Sequence, residues 1–199
     1  MATSQIKPVF TTPWDYADTP TIQKTLRTLS LEPHIEGGFF AQTDRSPDLI
    51  PSPYELTNDT GSAGNDQDRT RAANTMIFYY LTPRSPLGAF HCNASRTIHT
   101  LHRGRGRYVI LHGDAGSRAR NGGKAVIETF VVGHDIVRGE RLQWVVEGGE
   151  YKASFLLADR DAEGKLESDG LLISEVCILP YSMPLLAYAE CVQSSTLMV

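Results

Sequence analysis

From residue 74 onward the chain is a series of short apolar runs with no helical pattern between them. The runs are Met76–Leu81, Arg96–Leu101, Arg107–Leu111, Val126–Val132, Leu142–Val146, Ala153–Leu157 and Leu171–Leu179. Each is rich in Ile, Val, Leu, Tyr or Phe, and clusters of Gly, Pro or Asp separate most of them. Such spacing leaves no room for crossover helices, so the strands must pair as a sandwich or barrel. No internal repeat of roughly 20–50 residues points to a propeller or solenoid. The 199 residues fit a single domain.

The region before these runs is organised differently. Residues 1–18 are polar, proline-containing and without period, which predicts a flexible arm. The barrel domain is expected over 19–192, with a short tail at 193–199. Thr19-Pro20 opens a short helix, since proline is tolerated at the first helical position. Ile22, Leu26 and Leu29 then form one apolar stripe for docking, and Pro33 ends the segment. Gly37-Gly38-Phe39-Phe40 begins the first strand. Residues 44–74 are dominated by Pro, Asn, Asp, Gly and Ser. That stretch offers too little apolar surface to offset its ordering entropy, so a long mobile loop is expected, either a lid or a surface insertion. Residues 185–192 fit a last strand or a short helix.

Charge excludes two function classes. The net charge is −4, and no basic face is available to displace nucleic-acid counterions. The densest basic stretch, Arg103, Arg105 and Arg107, is interrupted by glycines and reads as a turn. No window approaches the roughly 20 apolar residues of a membrane span, and Met1-Ala2-Thr3-Ser4-Gln5 has no signal pattern. The three cysteines, Cys92, Cys177 and Cys191, are odd in number and irregularly spaced, which predicts reduced thiols in a cytoplasmic protein.

Four of the six histidines, His91, His99, His102 and His112, fall close together. Side chains alternate along a strand, so Thr97, His99 and Leu101 share one face while Ile98, Thr100 and His102 share the other. His91 and Asn93 likewise point together, and Gly104-Arg105-Gly106 makes a tight turn. Tyr79 and Tyr80 must face opposite sides. Glu175 lies within an apolar run and needs a partner if buried, with Arg96 the formal candidate. Lys152 reads as a solvated edge charge.

The run Phe90-His91-Cys92-Asn93, Thr97-Ile98-His99 and Gly104, with Gly88 before it, resembles the first cupin motif. That motif reads His-x-His, a spacer, Glu, six residues and Gly, and its histidines and glutamate bind a metal. Here His91 keeps the first position, Asn93 takes the second, and Thr97 takes the glutamate's. The stretch Glu147-Gly148-Gly149-Glu150-Tyr151 resembles the second motif, with Tyr151 at its histidine position. Over residues 22–180 the chain is similar to the fifth cupin family. The motifs are Glu36-Gly37-Gly38-Phe39-Phe40 with Thr43-Asp44-Arg45-Ser46-Pro47, Ile77–Leu81, the His91 and His99 pair, and Gly104-x-Gly106. Trp144-Val145-Val146, Lys152–Leu157 and Ile173–Val176 complete them. Gln42 stands where the family has a glutamate, and Pro180-Tyr181-Ser182-Met183-Pro184 replaces its usual ending.

The resemblance implies an all-β, cupin-type jelly-roll β-barrel with a short N-terminal helix, homodimeric, enclosing a small-molecule ligand. One imidazole, an amide, a hydroxyl and a phenol are a poor ligand set, so neither metal nor other cofactor is expected. The glycine-phenylalanine opening also resembles nucleotide-sugar 3,5-epimerases, metal-independent cupins that use a histidine base and a tyrosine acid. The leading expectation is therefore an isomerase, epimerase or cyclase acting by proton transfer on a carbonyl-bearing, natural-product-like substrate. His91 would be the base and Tyr151 or Tyr79 the acid, while Glu36, Phe40, Asn93, Thr97 and His99 bind substrate. The alternatives are a non-catalytic small-molecule binder and an iron- or zinc-dependent oxygenase built on His91 and His99.

Overall fold

The structure, a computed structural model, describes residues 8, 10, 18–52, 70–112, 125–158 and 168–178. Among the described residues, twelve strands follow one α-helix. The helix α1 covers Pro20–Thr28. The strands are β1 Glu32–Pro33, β2 Phe39–Arg45, β3 Leu49–Pro51, β4 Thr70–Ala72, β5 Asn74–Leu81 and β6 Leu87–Cys92. They continue as β7 Thr97–Arg103, β8 Gly106–His112, β9 Val126–Val132, β10 Gln143–Val146, β11 Tyr151–Leu156 and β12 Leu171–Ile178.

Two antiparallel sheets carry the fold. One has the order β1-β2-β5-β12-β7-β10 and the other β6-β11-β8-β9. From β5 to β12 the chain passes back and forth between the sheets, staying in one sheet only from β8 to β9. That winding is the jelly roll the sequence predicts. Between the sheets lies a core of Leu81, Leu101, Tyr108, Ile110, Phe130, Val132, Trp144, Val146, Leu156, Leu171 and Ile173. These are alternate residues of their strands, as a half-buried sheet requires.

The helix behaves as its pattern dictates. Thr19 caps it, accepting a hydrogen bond from the Ile22 amide at 3.2 Å, and proline occupies its first turn. Ile22, Leu26 and Leu29 dock with Leu31 and Tyr80 on the outer face of the larger sheet. Tyr80 is fully buried there, and its hydroxyl accepts from Arg103 Nη2 at 2.8 Å. Truncating a buried side chain of this kind costs about 2–5 kcal/mol.

Three expectations change. Strand β6 falls between the apolar runs, because its inward positions opposite Ser154 and Lys152 are Gly88 and His91, which break the apolar pattern. Residues 49–51 pair with 70–72 as a small ladder, so the ends of the 44–74 segment are ordered; residues 53–69 lie outside the described part. Within the expected arm, Phe10 is 1% exposed and belongs to the core. An aromatic ring anchors its own segment even when its neighbours are polar. The segments 179–199 and Cys191 lie outside the described residues, while Cys92 and Cys177 are reduced.

One charge cluster ties the smaller sheet together. His112 Nδ1 lies 2.5 Å from Glu150 Oε1 and its Nε2 3.1 Å from Glu128 Oε2, while Arg141 pairs with Glu128 at 2.8 Å. Partial burial works against the charged ring, but the two carboxylates, Glu150 first, outweigh it and hold the His112 pKa above its ordinary value. A raised histidine contributes stability that is fully present below its unfolded pKa and is lost as pH rises through the folded one. His112→Gln is therefore expected to lower the melting temperature at pH 5.5 and to have little effect at pH 9. Equal losses at both pH values would show that the cluster acts by packing alone.

Candidate functional site

A cavity of about 220 Å3 opens between the sheets, lined by His34, Glu36, Tyr79, His91, Glu175 and neighbouring side chains. The larger sheet presents Thr75, Ile77 and Tyr79 from β5, and Glu175 and Cys177 from β12. Their register places Ile77, Glu175, His99 and Trp144 side by side in one row across four strands. The smaller sheet presents His91, Tyr108 and Ser154. Lys152 is the cross-strand partner of both His91 and Ile110, so it shares their inward face.

Lys152 is the centre of the polar network. It is 1% exposed and reaches across the barrel from the smaller sheet to the larger. Its Nζ donates to Glu175 Oε1 at 2.5 Å and Thr97 Oγ1 at 3.2 Å, and lies 3.1 Å from His99 Nε2. Asn93 Nδ2 donates to the same Glu175 oxygen at 3.1 Å. The other oxygen lies 3.0 Å from His99 Nε2. His99 Nε2 therefore stands between an acceptor, the Glu175 carboxylate, and a donor, the Lys152 ammonium. Burial alone would push the Glu175 carboxyl up, yet the Lys152 ammonium and the His99 hydrogen bond hold it well below the usual carboxylate range. His99 is fully buried, stacked on Trp144 with ring centroids 5.0 Å apart. Burial, reinforced by Lys152, holds its pKa below the ordinary value.

A second group of side chains faces this pair. Glu36 sits in a turn whose next residue, Gly37, has φ 93° and lies so close to Leu87 that a Cβ would meet its carbonyl oxygen at 2.1 Å. Only glycine permits that approach, which fixes Glu36 at the cavity wall. Glu36 Oε2 lies 3.2 Å from His91 Nδ1 and 3.7 Å from His34 Nδ1. His91 Nδ1 also lies 3.0 Å from the Ala89 carbonyl oxygen. Both neighbours are acceptors, so the ring proton belongs on Nδ1 and the lone pair on Nε2. Burial, with the negative Glu175 adding to it and Lys152 opposing, raises the Glu36 pKa to about 7. Burial and the Lys152 ammonium lower that of His91 to about 4. The two carboxyl groups of one cavity are thus driven in opposite directions.

The residues expected from sequence are placed as follows. Glu36, Tyr79, His91 and Asn93 line the cavity. Thr97 and His99 stand behind them, bonded to or against Lys152. Phe40 pairs with Tyr79 and packs edge-on against the His34 ring at 4.6 Å, at the margin of the group. Tyr151 precedes Lys152 on β11 and therefore projects from the opposite face of the sheet. Tyr79 faces inward and Tyr80 outward, but the Tyr79 hydroxyl donates to the Gly37 carbonyl at 2.8 Å and burial holds its pKa far up. Its proton is committed to the Glu36 turn.

Two further expectations are corrected. Lys152 is not a solvated edge charge, because the carboxylate opposite it compensates its desolvation. Glu175 is paired with Lys152 and not with Arg96, whose guanidinium meets Glu147 at 3.4 Å on the surface. Tyr108 and Ser154 also line the cavity, although no motif marks them. Alternation along β8 from Ile110, and along β11 from Lys152, is the signal that locates them.

The donor set does not fit the metal of the cupin motif. Asn93 bonds Glu175, Thr97 accepts from Lys152, and Tyr151 faces away. Among the described residues no group of three or more His, Cys, Asp or Glu side chains has the geometry to hold a metal ion. No described helix is long and apolar enough to cross a membrane.

Comparison with known proteins agrees with this architecture. Residues 23–183 match the family described as Cupin superfamily (DUF985). The uncharacterized protein YML079W of Saccharomyces cerevisiae is 40% identical over 158 residues, which are 79% of this chain and 70% of that protein. Two solved structures share the fold. A hypothetical protein from Leishmania major has TM-score 0.59 and 23% identity over 87% of this chain and 94% of its own. The Shewanella oneidensis protein SO0799 has TM-score 0.56 and 19% identity over 80% of this chain and 78% of its own. A jelly roll with these motifs in this order, matched over most of its length, belongs to the DUF985 family of the cupin superfamily.

Proposed function

We propose that the cavity binds a small carbonyl compound and moves a proton at the carbon beside its carbonyl, by a mechanism that uses side chains alone. The observation that carries this reading is the Glu36–His91 pair. A carboxylate holds the Nδ1–H of a neutral imidazole, so the ring is fixed in the tautomer whose Nε2 can accept a proton. Glu36 titrates near neutrality, which lets it stabilise the imidazolium that forms without being a permanently buried charge. This is the arrangement in which environments push paired titratable groups apart and thereby divide their roles.

His91 is then the base and Glu36 its positioning partner. The enolate oxygen needs donors, and Tyr108, Ser154 and the second amide hydrogen of Asn93 supply them along the cavity wall. Burial holds the Tyr108 phenol protonated at neutral pH. A volume of about 220 Å3 is below the roughly 300–1,000 Å3 of drug-sized pockets, so the occupant is small.

The test is solvent exchange. Wild-type protein is incubated in D2O with a panel of small α-hydroxy ketones and aldehydes, and loss of the α-proton signal is followed by NMR. Enzyme-dependent exchange that His91→Ala removes is the expected result. Binding without exchange across the panel, with ligand contacts at the same cavity, would leave a non-catalytic binding protein instead.

A further inference from the structure

Lys152 calls for an explanation that the proton transfer does not provide. A lysine buried to 1% exposure is unusual, and this one spans the barrel to reach a carboxylate on a central strand. Around its Nζ converge a carboxylate oxygen at 2.5 Å, an imidazole nitrogen at 3.1 Å and a hydroxyl oxygen at 3.2 Å. Carboxylate and imidazole are the usual protein ligands of a divalent transition metal. The imidazole nitrogen and the second Glu175 oxygen are 3.0 Å apart, close to the spacing of two ligands that meet a metal at about 2.1 Å and a right angle.

The sequence positions agree with that geometry. Thr97 stands where the first cupin motif has its glutamate. In the second motif, a register one residue further on moves the ligand position from Tyr151 to Lys152. That register satisfies strand alternation, since Lys152 shares the inward face of His91 and Ile110 and Tyr151 does not. Thr97 is thus shared between the motif and the groups around the ammonium, while Glu175 and His99 join it from outside the motif.

We propose that the Lys152 ammonium is a covalently tethered substitute for a bound metal ion, anchoring the Glu175 carboxylate and keeping transition metals out. The inference is independent of turnover, because it concerns what occupies the donor set.

Cobalt(II) tests it. Wild-type protein and Lys152→Ala are equilibrated with excess Co2+, desalted, and read by visible absorption and elemental analysis. The expected result is no retained cobalt in the wild type and about one equivalent per chain in the variant, with Lys152→Ala/Glu175→Gln losing it again. If Lys152→Ala does not fold alone, it is refolded with Co2+ or with n-butylammonium, and recovery of the β-sheet circular dichroism signal is the equivalent expected outcome. Stoichiometric cobalt in the wild type that Glu175→Gln removes would overturn the proposal. So would a folded Lys152→Ala that retains no cobalt, or one that neither cation restores.

Discussion

Replacing Lys152 by methionine is expected to destabilise the fold by about 3–5 kcal/mol at pH 7, the cost of leaving a buried charge without its partner. The side chain is similar in volume, so packing is nearly conserved and the loss is electrostatic. Glu175 keeps its hydrogen bonds from Asn93 and His99, but two neutral donors do not replace an ammonium at 2.5 Å. The pH dependence should reverse as well. In the wild type the Glu175 pKa is held below its unfolded value, so its contribution is present above that value and lost on acidification. Without Lys152, burial dominates and raises the pKa, so the variant loses stability as pH rises. Removing the second charge should then restore much of the loss, because Gln accepts from Asn93 without carrying a charge. Urea unfolding of Lys152→Met, Glu175→Gln and the double variant forms the cycle that checks this. Additive losses would mean that the two residues are held by packing and not by each other.

That network also shows where sequence reading succeeds and where it stops. The jelly roll was legible because its strands repeat a local signal, with apolar alternation bounded by turn residues. The capped helix was legible for the same reason, and Ile22, Leu26 and Leu29 dock as their spacing requires. The cavity wall was partly legible, since i and i+2 share a face, so His91 goes with Asn93 and Thr97 with His99. Cross-barrel partnership is different in kind. Nothing local to Lys152 announces that Glu175, on a strand of the other sheet, will stand opposite it. A one-residue shift in counting the second motif turned the inward residue outward, because strand period is two and an odd shift exchanges faces. Local composition likewise misread the chain around Phe10, where one ring outweighs a polar neighbourhood.

Glu36→Gln should lower solvent exchange of the substrate's α-proton by on the order of 10²–10⁴-fold at pH 8. The glutamine neither stabilises the His91 imidazolium nor enforces the Nδ1–H tautomer, since its amide can rotate to donate. In the wild type the rate should rise as pH climbs through about 7, where Glu36 ionises, and the variant should lose that limb. The groups around Glu36 set the position of the limb. His34, His91 and Tyr79 desolvate it, the charge of Glu175 adds to the upward shift, and Lys152 moderates it. Stability should move the opposite way. A carboxyl whose folded pKa lies above its unfolded value binds more protons when folded, so the wild type loses stability between about pH 4.5 and 7. Glutamine has no charge to desolvate, and the variant should melt higher than the wild type at pH 8 and not at pH 4. A variant that is more stable yet slower marks Glu36 as strained for its task. A wild-type rate, or an acidic limb that persists near 7 after substitution, would assign the proton transfer to another group.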